Sequence, residues 1–95
     1  MKTYGIVYDR AAADDLVDLQ NWIARQSSER VAATYIARLR AFCNRLRHFP
    51  QRGEIRDDVR PGIRLIGFEQ RVNVAFEVQQ DRVVIVRLLY GGRQL

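Results

Sequence analysis

"IRLIGFEQRVNVAFEVQQDRVVIVRLLY", residues 63–90, decides the fold. It breaks into three strand-like runs, 63–68, 71–79 and 82–90, rich in β-branched and aromatic residues. Glu69-Gln70 and Gln80-Asp81 separate them by hairpin-length gaps, so the runs predict a three-stranded antiparallel meander. In the middle run Val72, Val74, Phe76 and Val78 alternate with Arg71, Asn73, Ala75 and Glu77, which predicts one packed face and one exposed face. The last run alternates less strictly, with Val84, Val86, Leu88 and Tyr90 on one side and Val83, Ile85, Arg87 and Leu89 on the other. That parity puts Arg87 on the face away from any helices, its stem lying over apolar neighbours.

Upstream the period changes. "TYGIVY" (3–8) is a short strand by propensity, and Asp9 offers an N-cap to the segment that follows. There Ala12, Leu16, Leu19 and Ile23 form one apolar helical stripe. Asp14, Asp15 and Asp18 fall on its early turns, where the helix dipole favours carboxylates. Ser27 or Ser28 caps a second helix whose stripe is Ala32, Ile36, Leu39, Cys43 and Leu46, widened by Tyr35 and Phe42 and stopped by Pro50 and Gly53. The short join predicts an antiparallel helix hairpin. The whole is an α+β fold: a short N-terminal strand, the hairpin, then the meander, with both helices on one sheet face. The other face would be concave and could gather Arg64, Arg71 and Arg87, with Arg64 the least secure because Ile66 and Phe68 share its parity.

Ninety-five residues suit a single domain spanning 1–95, with 47% hydrophobic and 28% charged residues, as in folded soluble proteins. Roughly two-thirds of the unfolded surface is buried at this size, so a partner could add stability. The N-terminus lacks the apolar stretch of a signal peptide and no run is long enough for a membrane span, which predicts a cytoplasmic protein without a membrane partner. Cys43, the only cysteine, reads as a core residue; with His48 the only histidine, neither metal nor cofactor is expected. Fifteen of the 16 cationic side chains are arginines, and the net charge of +5 points to an anionic partner such as nucleic acid, a nucleoprotein machine or an acidic protein segment.

The order and spacing of "FPQRGEIRDDVRPGIR", "QRVNVAFEV" and "VVIVRLLYGGR" resemble the RelE/ParE superfamily of type II toxin–antitoxin toxins, and its ParE branch in particular. The similarity extends through the helix hairpin. It implies a small bacterial toxin neutralised by a cognate antitoxin. ParE-type toxins poison DNA gyrase, whereas RelE-type relatives cleave messenger RNA on the ribosome. The shared fold does not choose between them.

RNA cleavage through the 2′-hydroxyl needs a proton acceptor, a proton donor and positive charge on the phosphate, of which arginine efficiently supplies only the last. By resemblance Arg71 and Arg87 match the phosphate-holding arginines of the RNA-cleaving relatives. The proton-transfer set is poorer: no lysine follows Lys2, and Tyr90 stands where a histidine is common. A tyrosine at its ordinary pKa, about 10, is a poor base at neutral pH. Glu54 reads as one acid of a charged loop and His48 as a helix C-terminal residue. Gyrase inhibition needs a binding surface instead. Arg64, Arg71, Arg87, Tyr90 and Arg93 are the candidates for contact with gyrase or its DNA complex. The alternatives are ribosome-dependent messenger cleavage and a decayed toxin that only binds its antitoxin. No element reads DNA sequence, so sequence-specific DNA binding by this chain alone is not expected.

Overall fold

The computed structural model describes residues 2–95. Strand β1 (Gly5–Tyr8) leads into helices α1 (Arg10–Gln26) and α2 (Glu29–Asn44), and α2 runs on into a 3-10 turn, Arg45–Arg47. Then come β2 (Glu54–Ile55), β3 (Ile63–Phe68), β4 (Val72–Val78) and β5 (Arg82–Tyr90). The five strands form one sheet in the order β1-β5-β4-β3-β2. Neighbours are antiparallel except β1, which lies parallel to β5, the two being joined through the helix hairpin and the strands β2, β3 and β4. The α+β fold and the meander are as expected; β2 and the parallel edge are additions.

Ser28 caps α2, its hydroxyl accepting from the Val31 N–H at 3.1 Å, whereas Asp9 holds the N-cap position of α1 without a side-chain capping bond. Ala12, Leu16 and Leu19 from α1 and Ala32, Ile36, Leu39 and Cys43 from α2 are buried, as their spacing dictates. All of these but Ala32 form one core with Val72, Val74 and Phe76 of β4 and Val83, Ile85 and Leu88 of β5. Among the described residues no helix is long and apolar enough to cross a membrane.

Two expectations about β5 fail for one reason. Phe76 pairs with Ile85 and Ala75 with Arg87, so Val86 is an extra residue, a β-bulge. The extra residue resets the alternation, so Val83 and Ile85 before it share the helix face with Leu88 and Tyr90 after it. The side assigned to Val84 and Val86 from strict alternation is therefore wrong.

The reverse face is also not open. Ile63, Ala75 and Leu89 on it are buried, with Ala75 fully so. The segment after β2 folds back over this face, with Arg60 paired to Glu77 at 2.7 Å, while Arg56, Val59 and the last three residues wall a hollow of about 380 Å³ above Leu65, Asn73 and Leu89. Gly53 permits the approach to this segment. Its φ is +80°, and a Cβ there would stand 2.3 Å from the Leu65 carbonyl oxygen. The turn between β3 and β4 uses Glu69 and Gln70, both at positive φ (51° and 58°), without the glycine such a turn favours.

Candidate functional site

The expected gathering of Arg64, Arg71 and Arg87 on one basic face does not occur. Arg87 turns to helix α1, where its Nε and Nη2 donate to the two carboxylate oxygens of Asp15 at 2.8 and 3.1 Å. Asp15 is 4% exposed and also accepts from the Leu88 N–H at 2.9 Å. The cause lies in strand length. β1 pairs with β5 only as far as Tyr8 opposite Ile85, so the Leu88 N–H is left on an edge with no neighbouring strand. Asp15 supplies the missing acceptor. It thus closes the sheet edge rather than serving the helix dipole as its position suggested. Bidentate pairing raises the pKa of the Arg87 guanidinium, first through the hydrogen bond and then through the carboxylate charge.

Arg64 points elsewhere, its Nη1 approaching the Arg52 carbonyl at 3.4 Å. Arg71 lies in the turn before β4, exposed, on the wall of a groove of about 700 Å³ that opens where the hairpin meets the end of β5. Leu19, Ile23 and Val72 contribute the apolar lining, with Trp22 and Val31 at 41% and 47% exposure. Tyr90 also lines it, its ring 6.1 Å from that of Trp22, while the Arg93 guanidinium sits 4.1 Å over the Tyr90 ring. Gly91 and Gly92, at φ +62° and +79°, turn the chain out of β5 beside this groove, and added Cβ atoms would meet nothing within 4 Å. These glycines are needed for direction, not for space.

Tyr35 reaches the same groove from α2, and its buried hydroxyl has no hydrogen-bond partner among the described residues. Burial raises its pKa, with the Glu69 carboxylate adding to the rise and the Arg71 and Arg38 charges offsetting part of it. The structure therefore brings two of the five candidates, Arg71 and Tyr90, to an apolar groove, while Arg93 lies over the Tyr90 ring and lines the hollow on the reverse face, and Arg64 and Arg87 stay outside. Trp22 was the missed member. Its large apolar surface flanking the Ala12–Leu16–Leu19 stripe, three residues beyond Leu19, was the available signal.

The sequence model described as "ParE toxin of type II toxin-antitoxin system, parDE" matches residues 6–95. The chain belongs to the ParE toxin family. Toxin ParE3 of Caulobacter vibrioides is 28% identical over 90 residues, covering 95% of this chain and 89% of the relative. A solved structure described as the chromosomal ParDE TA system from P. aeruginosa superposes with a TM-score of 0.81 at 19% identity. It covers 93% of this chain and 96% of the other, a likeness of fold. Within this ParE fold, of the two arginines matched by resemblance to phosphate-holding groups in RNA-cleaving relatives, Arg87 is bound to Asp15 and Arg71 lies exposed on the groove wall. Glu54, a conceivable proton carrier, aligns with Leu65, which aligns with Ala75 and then Arg87. At about 4.8 Å per strand, that row separates the Glu54 and Arg87 backbones by about 14 Å. His48 lies at the end of the 3-10 turn after α2, exposed.

Proposed function

We propose that this ParE-family toxin inhibits DNA gyrase by binding, without catalysing bond cleavage, and that a cognate antitoxin neutralises it. The observation that carries the reading is the Asp15–Arg87 pair. A guanidinium already holding a carboxylate through two N–H groups is a poor receptor for an RNA phosphate, and Glu54 is too distant to act with it. What the chain offers is surface. Arg71 and Tyr90, with the Arg93 guanidinium over the Tyr90 ring, give an apolar groove a basic, aromatic rim suited to hold a protein partner.

The same groove suits the antitoxin. An amphipathic segment laid along it would cover Trp22 and Val31 and could place carboxylates against Arg71. Neutralisation then follows from occupying the rim that the target needs.

The test is supercoiling of relaxed plasmid by purified gyrase with ATP across a titration of this protein. Inhibition reversed by the antitoxin is expected, and Trp22→Ala should weaken antitoxin binding at least tenfold. Undiminished supercoiling with a folded toxin in large excess over gyrase would overturn the reading.

A further inference from the structure

From Arg30 to Gly53 the chain carries six arginines and His48 and not one aspartate or glutamate. Among the described residues only Arg38 of these arginines has a carboxylate partner, Glu69 at 2.8 Å. Four of the others, Arg40, Arg45, Arg47 and Arg52, lie on the last turns of α2, the 3-10 turn and the loop beyond it. They are positioned charges. Arg40 sits over the Tyr8 ring and Arg45 over the Phe42 ring, each at 5.5 Å. The Arg47 carbonyl accepts from the Tyr4 N–H at 2.8 Å, and the buried Arg47 Nε has no acceptor among the described residues.

Arg64 brings a fifth guanidinium to this end through its contact with the Arg52 carbonyl. Tyr8, Ile85, Phe76 and Arg64 share one row across the sheet, so the charges extend from the β1 side to β3 over about 14 Å. Glu54, the next acid along the chain, pairs with Leu65 and so belongs to the opposite face from Arg64. Beside the arginines Phe49 projects with 63% exposure, the highest of the exposed large apolar side chains.

We infer that this stripe binds the phosphodiester backbone of nucleic acid without reading its sequence. Cations near a helix C-terminus are favoured by the dipole, which accounts for Arg45 and Arg47 but not for Arg52, Arg64 or an exposed phenylalanine. An acidic protein segment would need apolar surface to bury, and Phe49 alone supplies little. Guanidinium groups, in contrast, match phosphate oxygens with paired N–H donors, and an exposed ring can stack on an unpaired base. Over about 14 Å a DNA duplex presents on the order of eight charges, enough to engage all five arginines. The inference goes beyond gyrase inhibition and does not depend on it.

The test is fluorescence anisotropy of the full chain with a labelled 20-bp DNA duplex and a 20-nucleotide RNA strand, with no gyrase present, between 50 and 200 mM salt. Binding should weaken with a logarithmic slope near −4, the value for four to five phosphate contacts on duplex DNA. The triple variant Arg40→Gln, Arg45→Gln, Arg52→Gln should lower the duplex slope by about 2.7 units. The control Arg10→Gln, Arg25→Gln, Arg30→Gln removes the same charge elsewhere and should change it far less. Binding in either arm supports the inference, and the tighter arm identifies the natural source of the phosphates. Equal losses in the two triple variants, no binding at 50 mM salt, or tighter binding of a polyglutamate peptide would each overturn it. Supercoiling inhibition retained by the stripe variant would leave the gyrase reading standing apart from this one.

Discussion

On the helix face of the sheet, Val74, Phe76, Ile85 and Leu88 meet the apolar stripes of α1 and α2; on the reverse face, Ile63, Ala75 and Leu89 lie beneath a charged loop and the chain's last residues. The first face is closed by interdigitating side chains, and the second by a cover whose ion pairs, Arg56–Asp58 and Arg60–Glu77, remain partly in solvent. Burial alone does not distinguish these faces. The difference is in how the cover is held, and it determines where arginine charge stays available. On the reverse face Arg56 and Arg60 are matched by Asp58 and Glu77, while among the described residues Arg71 at the groove and the arginines at the end of α2 have no carboxylate partner.

The contrast should appear first in stability. Phe76→Ala removes a fully buried ring from the helix face and should cost about 3–5 kcal/mol in urea unfolding. Arg60→Ala, which breaks a partly exposed ion pair on the reverse face, should cost no more than about 1 kcal/mol. Comparable losses would mean that the loop is as integral as the helices.

Asp15 links the helix layer to the edge of β5, so its effect should fall just below that of Phe76. Asp15→Ala strands the Leu88 N–H and the Arg87 charge, a loss of about 2–4 kcal/mol, smaller than for a fully buried pair because Arg87 is 37% exposed. Asp15→Asn keeps an acceptor for Leu88 and should lose about half as much by the same urea measurement. Equal losses would assign the stabilisation to charge alone.

Replacing Glu69-Gln70 by Asn-Gly should act in the opposite direction, adding about 1 kcal/mol by relieving two residues at positive φ. The gain is limited because Glu69 also holds Arg38 through two hydrogen bonds. That pairing holds the Glu69 carboxyl below its ordinary pKa, first through the Arg38 hydrogen bond. A depressed folded-state pKa gives stability that is present above the unfolded value and lost as pH falls through the folded value. Thermal unfolding should therefore lose stability below about pH 4.5, the ordinary value, and Arg38→Gln should flatten that decline slightly.

Periodicity made the helices and the strands at 63–68 and 82–90 legible, because each buries one regular set of side chains. It could not show the bulge at Val86, since the extra residue is another valine and neither glycine nor proline marks it. Nor could it pair Asp15 with Arg87 across 72 residues. That bond exists because β1 ends before β5 does, a property of two strand lengths together. The groove was legible in part: Tyr90 and Arg93 stood out as a basic aromatic end, but joining them to Trp22 required the packing of α1 on β5. The arginine stripe escaped notice because its members, Arg40, Arg45, Arg47, Arg52 and Arg64, are spread over the end of α2, the 3-10 turn, the loop beyond and β3.

The central claim, that this toxin acts by binding while Asp15 occupies Arg87, is tested most directly on translating ribosomes. Folded protein that inhibits gyrase would be added to ribosomes programmed with a defined messenger, and the RNA ends mapped by primer extension. Intact messenger at toxin concentrations that saturate gyrase inhibition is the predicted result. Cuts that depend on both the ribosome and the toxin would contradict the claim.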